Sequence, residues 1–395
     1  MAGALEGVKV LDLSRVLAGP LCTMMLADLG ADVVKVERPG SGDETREWGP
    51  PWAGTESAYY LCVNRNKRSL TLDLKAEAGK AVIRRLAREA DVVVENFKTG
   101  TLEAMGLGYE VLSADNPGLI LCSITGYGHT GPDKDQPGYD FAIQGRGGIM
   151  SITGEPDGPP MKVGLAIVDV TAAQHAAIAV LAALRARERT GRGQCIDIAL
   201  LDSQVSWLIN RASNYLIGGA VPKRYGNAHP NIVPYETFRA SDTWFNLAVG
   251  NDSQFRRFTR LIGAPELADD PRFVTNPARV EHRAELVSLL GTYLRRRTAA
   301  EWLELFRREK IPCGPINSIP EVFADPQVLA REMVVEMTHP TAGTVKLVGS
   351  PLKLSDTPVT FARHPPLLGE HTDEILAEAG YSREEIRELR ERGVV

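Results

Sequence analysis

The chain has five cysteines in 395 residues, Cys22, Cys62, Cys122, Cys195 and Cys313, and no two of them form a CxxC pair. That scatter excludes a zinc ribbon or a disulfide framework and fits free thiols in a reducing, cytoplasmic setting. None of the seven histidines lies in an HExxH or a His–Cys cluster, so no metal site is expected. A basic excess is also missing. Lys and Arg number 45 against 50 Asp and Glu, a formal net charge of -5, which argues against a nucleic-acid partner. No stretch approaches the roughly 20 consecutive apolar residues of a membrane span, and no basic segment followed by an apolar run opens the chain. A membrane partner is therefore not expected. Neither a GxGxxG fingerprint nor a P-loop occurs, and there is no internal repeat. What remains is a hydrophobic content of 44%, enough for two domains with sizeable cores.

The first third alternates short apolar strands with helices. Val8 to Leu13 reads as a strand, Gly19 to Leu29 as a helix stopped by Gly30, and Asp32 to Glu37 as a second strand closing on an acid. A Gly/Pro loop, 39–52, follows. Strands are expected at 70–74, 91–95 and 119–124, with a helix over 76–89. This is a doubly wound α/β layout, Rossmann-like but without a pyrophosphate loop. A helix is expected over 201–217. Residues 223–234 then form a polar linker into a smaller α+β segment, with helices at 253–262, 283–295 and 299–309. A hairpin at 334–339 and 344–348 and a charged helix over 372–392 close the chain. The domain reading is 1–215 and 330–395 for the large domain and 225–325 for the small one.

The stretch from Pro159 to Leu201 holds the residue of most interest. Val163 to Val170 reads as a buried extended run ending near Asp169, and 171–189 as an Ala/Leu-rich helix stopped by Gly191. Asp169 thus sits where a strand meets a long helix. Its carboxylate is either a helix cap or, in apolar surroundings, a nucleophile or base. Spacing alone leaves both open. Gly145 to Gly148 is a candidate oxyanion-donor loop, or a packing turn.

Further segments carry a resemblance. LDLSRVLAGPLCTMMLADLGADVVKVERPGSGDETREW and VNRNKRSLTLDLK come first, then VENFKTGTLEAMGLGYE and CSITGYGHTGPDKDQPGYD. ITGEPDGPPMKVGLAIVDV, ERTGRGQCIDIALLDSQV and PPLLGEHTDEIL follow in order. Over nearly its whole length the chain resembles the family III CoA-transferases, the formyl-CoA and carnitine CoA-transferase type. It is most similar to their succinate–hydroxymethylglutarate group.

The resemblance implies an enzyme that moves CoA between carboxylic acids, with Asp169 as catalytic nucleophile. It implies acyl-CoA and small, dicarboxylic acids as partners, no permanently bound cofactor, and an interlocked homodimer. CoA-binding positions carried over are Arg38, Leu72, Lys75, Asn96, Phe97 and Lys98. The chain has Ala104 and Gln136–Pro137 where many members carry basic residues. Trp48, Tyr59 and Tyr139 are candidate substrate contacts. Arg46, Arg15 and Arg211, with His229 as a neutral donor, are the candidates for a distal carboxylate. The family also contains α-methylacyl-CoA racemases, whose histidine falls in the segment matching PGYD. Here Tyr139 and Asp140 stand in that place, and His129 reads as a solvated loop residue. A non-catalytic CoA-binding module is the other alternative.

Overall fold

A computed structural model describes residues 3–395. The chain divides into two compact units. One takes the chain up to Ile149, then Lys162–Ala212 and Pro326–Val395; the other takes Met150–Met161 and Ser213–Asp325. Residues 150–161 thus belong with the second unit, although the sequence reading kept them in the large domain.

Six strands organise the first unit: β1 (Lys9–Asp12), β2 (Asp32–Glu37), β3 (Lys67–Thr71), β4 (Val92–Glu95), β5 (Ile120–Thr125) and β6 (Cys195–Ala199). All are parallel, in the order β3-β2-β1-β4-β5-β6. That is the strand order of dinucleotide-binding folds, and its chain reversal lies between β1 and β4. The side-chain period of two sends alternate residues to opposite faces. Val10, Val33, Val92 and Ile120 form one core with α1 (Ala18–Asp28); Leu11, Val34, Val93 and Leu121 form another with α2 (Glu77–Ala87).

Two further helices matter for the site, α3 (Asp140–Arg146) and α4 (Ile167–Thr190). The 24-residue α4 ends at Gly191, whose φ of 67° only glycine adopts without strain. Its alanines let it lie close against α1, with Ala172, Ala173 and Ala176 fully buried. Among the described residues it is the one helix long and apolar enough to cross a membrane, a stretch the sequence reading passed over. Half of that apolar window is buried inside this unit.

Other boundaries differ from the expectation, each for a local reason. The strand expected at 70–74 starts earlier: β3 begins at Lys67, which is fully buried because its ammonium reaches Asp12 (3.1 Å), the Pro20 carbonyl (2.8 Å) and Asn64 (2.9 Å). The helix expected over 201–217 breaks at Ile209, with φ 30°, into α5 (Leu200–Ser206) and Ile209–Leu216. The C-terminal helix breaks at Gly380 into α6 (Thr372–Glu378) and α7 (Arg383–Glu391), both packed on the α2 face of the sheet.

In the second unit, Tyr235–Arg239, Trp244–Ala248 and Cys313–Pro315 form an antiparallel sheet. Helices Asp252–Leu261, Arg283–Leu294 and Ala299–Arg308 cover it. Its core is aromatic, with Trp302 stacked on Phe306 at 5.3 Å. This unit is a small α+β body.

Candidate active site

The loops after β1 and β2 rest on buried charge. Asp43 accepts from the Lys35 ammonium (2.9 Å), from the Thr45 N–H (3.0 Å) and hydroxyl (2.8 Å), and from the Val16 N–H (3.2 Å). Burial opposes its ionisation, yet Lys35 and the Thr45 donors outweigh burial and hold it at about 2. Val16 is β-branched and stands at φ 68°, a backbone conformation that costs such a residue energy. Its neighbour Arg15 is fixed by Asn96, which accepts the Arg15 N–H (2.8 Å) and donates to its carbonyl (2.7 Å). Thus the loops at the C-terminal ends of β1 and β4 are locked together at the chain reversal.

Two adjoining cavities open there. The first, about 370 Å³, is lined by Arg38, Gly42, Leu72, Lys75, Phe97 and Met105, and by acids that include Asp43, Glu47 and Asp73. The second, about 290 Å³, is lined among others by Leu17, Asn96, Lys98, Tyr139, Asp140 and Asp169. Arg15, Glu44 and Phe97 line both. Together they form one cleft large enough for a nucleotide-sized ligand, with Arg38 and Lys75 on the first cavity and the Asp169 carboxylate on the second.

Asp169 lies in the first turn of α4. The extended run expected over 163–170 is not a strand, because its polar groups are taken by α3. Gln144, fully buried, accepts the Val163 N–H (2.8 Å) and donates to the Leu165 carbonyl (3.3 Å) and to Asp140 Oδ2 (2.6 Å). The helix cap is not Asp169 either. Ala166 occupies the N-cap without a side-chain bond, and Asp140 reaches across from α3 to accept the Val168 N–H (2.8 Å) and the Asp169 N–H (3.4 Å). This leaves the Asp169 carboxylate free of the capping task. Burial, and then the neighbouring charge of Asp140, push it up to about 7.

Tyr59 stands near enough to feel its charge, although neither Tyr59 nor Trp48 is in the described lining of the two cavities. Tyr59 meets Trp48 edge-on at 5.1 Å and packs in one cluster with Val16, Leu17 and Ala166. Burial, followed by the charge of Asp169, raises the Tyr59 phenol to about 12, so it remains a hydroxyl donor.

Of the expected residues, Arg38, Leu72, Lys75, Asn96, Phe97, Lys98, Tyr139 and Arg15 all line the cleft. Arg46 does not. Its guanidinium is spent on Glu37 (2.7 and 2.8 Å), Glu56 (3.1 Å) and the Pro366 carbonyl (3.1 Å), and lies over the Tyr60 ring. Arg211 lies in Ile209–Leu216, away from the described lining, and His229 in the second unit, where its Nδ1 accepts the Asn231 N–H. Gly147 of the proposed oxyanion loop has a packing reason, since a Cβ there would stand 2.2 Å from Gln204 Cγ. His129 is half-buried rather than fully solvated; its Nε2 meets the Ser123 hydroxyl at 2.8 Å. Asp140, Gln144 and Asp43 were missed as site residues. The spacing Asp140–Gln144, one helical turn, was the available signal for the first two.

Known proteins place this geometry. The sequence pattern of CoA-transferase family III matches residues 5–372. Human succinyl-CoA:glutarate CoA-transferase is 47% identical over 99% of this chain and 90% of its own length. A succinate–glutarate CoA-transferase of Agrobacterium fabrum is 49% identical, covering 95% of each. The crystal structure of a CAIB/BAIF family protein from Brucella suis superposes with a TM-score of 0.87 at 48% identity, over 96% of this chain and 100% of that one. The chain is a family III CoA-transferase.

Proposed function

We propose that this enzyme exchanges CoA between dicarboxylic acids, with Asp169 as nucleophile. The observation that carries it is a half-buried carboxylate, free of capping duty, on the second cavity of a cleft whose first cavity carries Arg38 and Lys75. Asp169 attacks the acyl carbon of the donor thioester, forming a mixed anhydride and releasing the CoA thiolate. The thiolate attacks the Asp169 acyl carbon; the donor acid departs and an aspartyl-CoA thioester remains. The acceptor acid attacks that thioester, and the same steps in reverse return free Asp169 and the new acyl-CoA. Each intermediate is an activated acyl group of similar energy, so the exchange needs no ATP. Walls such as Leu17, Ile124 and Leu200 keep water from the anhydride.

Arg38 and Lys75 at the first cavity suit the phosphates of CoA, and Phe97 gives its thiol arm an apolar wall. The similar enzymes named for succinate and glutarate support a dicarboxylate here. Its distal carboxylate needs a cation, and Arg15 is the arginine on the lining that holds Asp169. Arg15 Nη1 pairs with Glu44, while its Nε is buried with no partner. Arg46 is excluded from that role by its own ion pairs.

A second copy of the chain completes the enzyme in this reading, as the resemblance implies. Ile178 and Leu181 on α4 and Val205 on α5 are exposed large apolar side chains that a partner would cover. Sedimentation at micromolar concentration tests this; a monomer contradicts it. The exchange itself is tested with succinyl-CoA as donor and glutarate, hydroxymethylglutarate, malate and oxalate as acceptors. New thioesters from the wild type and none from Asp169→Ala are expected. Undiminished exchange by the variant would remove Asp169 from the mechanism. Failure of every acceptor would redirect the search to α-proton exchange.

A further inference from the structure

Behind the cleft wall lies a hydrogen-bonded chain that the exchange does not use. Glu95 ends β4 with a residue exposure of 4%, and Ser123, its register partner on β5, is fully buried. Glu95 Oε2 accepts the Phe97 N–H (2.7 Å), and the Ser123 hydroxyl donates to Oε1. Ser123 Oγ in turn lies 2.8 Å from His129 Nε2, in the loop after β5. Since the hydroxyl proton is committed to Glu95, this nitrogen is the donor. The His129 backbone N–H donates to Asp197 Oδ2 (3.0 Å), anchoring the loop to β6 as well.

The order of groups decides what the chain can do. A nucleophilic triad has the imidazole between hydroxyl and carboxylate. Here the hydroxyl is in the middle and sealed from the cleft, so it cannot attack an acyl group. Nor is a proton relay required, because exchange of one carboxylate for another is proton-neutral. What the chain does touch is the turn Asn96–Phe97–Lys98, whose residues wall both cavities and whose Asn96 holds Arg15.

We propose that His129, acting through Ser123 and Glu95, is a positioning residue that clamps this turn and so sets the affinity of the enzyme for CoA. The clamp rests on the reading that CoA occupies this cleft. Burial favours the neutral form of Glu95, and Glu103 adds repulsion; the Ser123 and Phe97 donors and the nearby His129 oppose this. Removing the imidazole leaves the Ser123 hydroxyl without its own donor and free to turn from the carboxylate. Glu95 then relaxes its hold on the Phe97 N–H, and the wall shifts.

The test is CoA binding by calorimetry, with steady-state exchange, on full-length wild type, His129→Ala, Ser123→Ala, the double variant and His129→Gln. His129→Ala is expected to weaken CoA about tenfold and raise KM for acyl-CoA, with kcat within about threefold. Ser123→Ala should match it, the double variant should lose no more than either single one, and Gln, which keeps an N–H donor, should restore most of the affinity. Unchanged affinity in His129→Ala, or losses that multiply in the double variant, would overturn the clamp. Arg38→Ala and Lys75→Ala are run alongside. If they leave CoA affinity intact, the cleft assignment fails and the clamp with it, whereas a failure of His129→Ala alone leaves that assignment standing.

Discussion

Asp140 Oδ1 accepts the N–H groups of Val168 and Asp169, so one carboxylate caps the helix whose first turn carries the other. A free helix N-terminus would favour an ionised Asp169. Burial outweighs that field, and the charge of Asp140 acts in the same direction as burial, leaving Asp169 basic for a carboxylate, at about 7. A more basic carboxylate is the better nucleophile, and it lines the cleft.

The exchange rate should follow that ionisation. Because the attacking form is the carboxylate, kcat/KM for acyl-CoA should rise about tenfold per pH unit below about 7 and level off above it. Asp140→Asn removes the repulsion and should move this limb to lower pH. A limb that stays in place would remove Asp140 as a cause of the shift.

The same shift has a stability consequence of opposite sense. The folded value for Asp169 lies above its ordinary 3.8, so its favourable contribution is complete below about 3.8 and is lost as pH rises through about 7. Asp169→Asn should therefore be more stable than wild type at pH 8, by on the order of 2–4 kcal/mol, and equal to it near pH 4. Thermal melts across that range check it; a difference independent of pH would contradict it.

Arg15 and Arg46 should separate cleanly. Arg15→Ala should raise KM for a dicarboxylate acceptor roughly 10- to 100-fold, the loss of one charge-assisted contact, while sparing a monocarboxylate of equal length. Arg46→Ala strands the buried Glu37 and should cost about 3–5 kcal/mol of stability. Equal losses for both acceptors in Arg15→Ala would remove the distal-carboxylate role.

Acid should weaken the base of the site as Asp43 takes up a proton. Its folded value of about 2 lies below the ordinary 3.8, so the stability it supplies is present above about 3.8 and lost as pH falls toward 2. Asp43→Ala leaves Lys35 charged and buried, at a cost of about 3–5 kcal/mol in denaturant titration at pH 7. A loss below about 1 kcal/mol would show that the loop around Val16 stands without it.

The parallel sheet was legible because each strand is a short apolar run bounded by turn residues, as in Asp32–Glu37. The start of β3 was not, because Lys67 and Arg68 read as a solvated turn until Asp12 and Asp32 arrive from distant strands to pair with them. Asp169 was visible as an acid at a helix start, but its local sequence could not separate cap from nucleophile. That answer depends on Asp140, 29 residues earlier, taking the capping task. Arg46 failed as a ligand for a similar reason. Its partners Glu37 and Glu56 lie nearby in sequence, yet only the folded loop turns all three inward.

The most direct test of the central claim is mass spectrometry of the enzyme quenched during turnover with succinyl-CoA and no acceptor. Digestion should yield a peptide carrying CoA in thioester linkage at Asp169, absent from Asp169→Asn and discharged when glutarate is added. Exchange that proceeds with no adduct, or with CoA attached to another residue, would contradict the account.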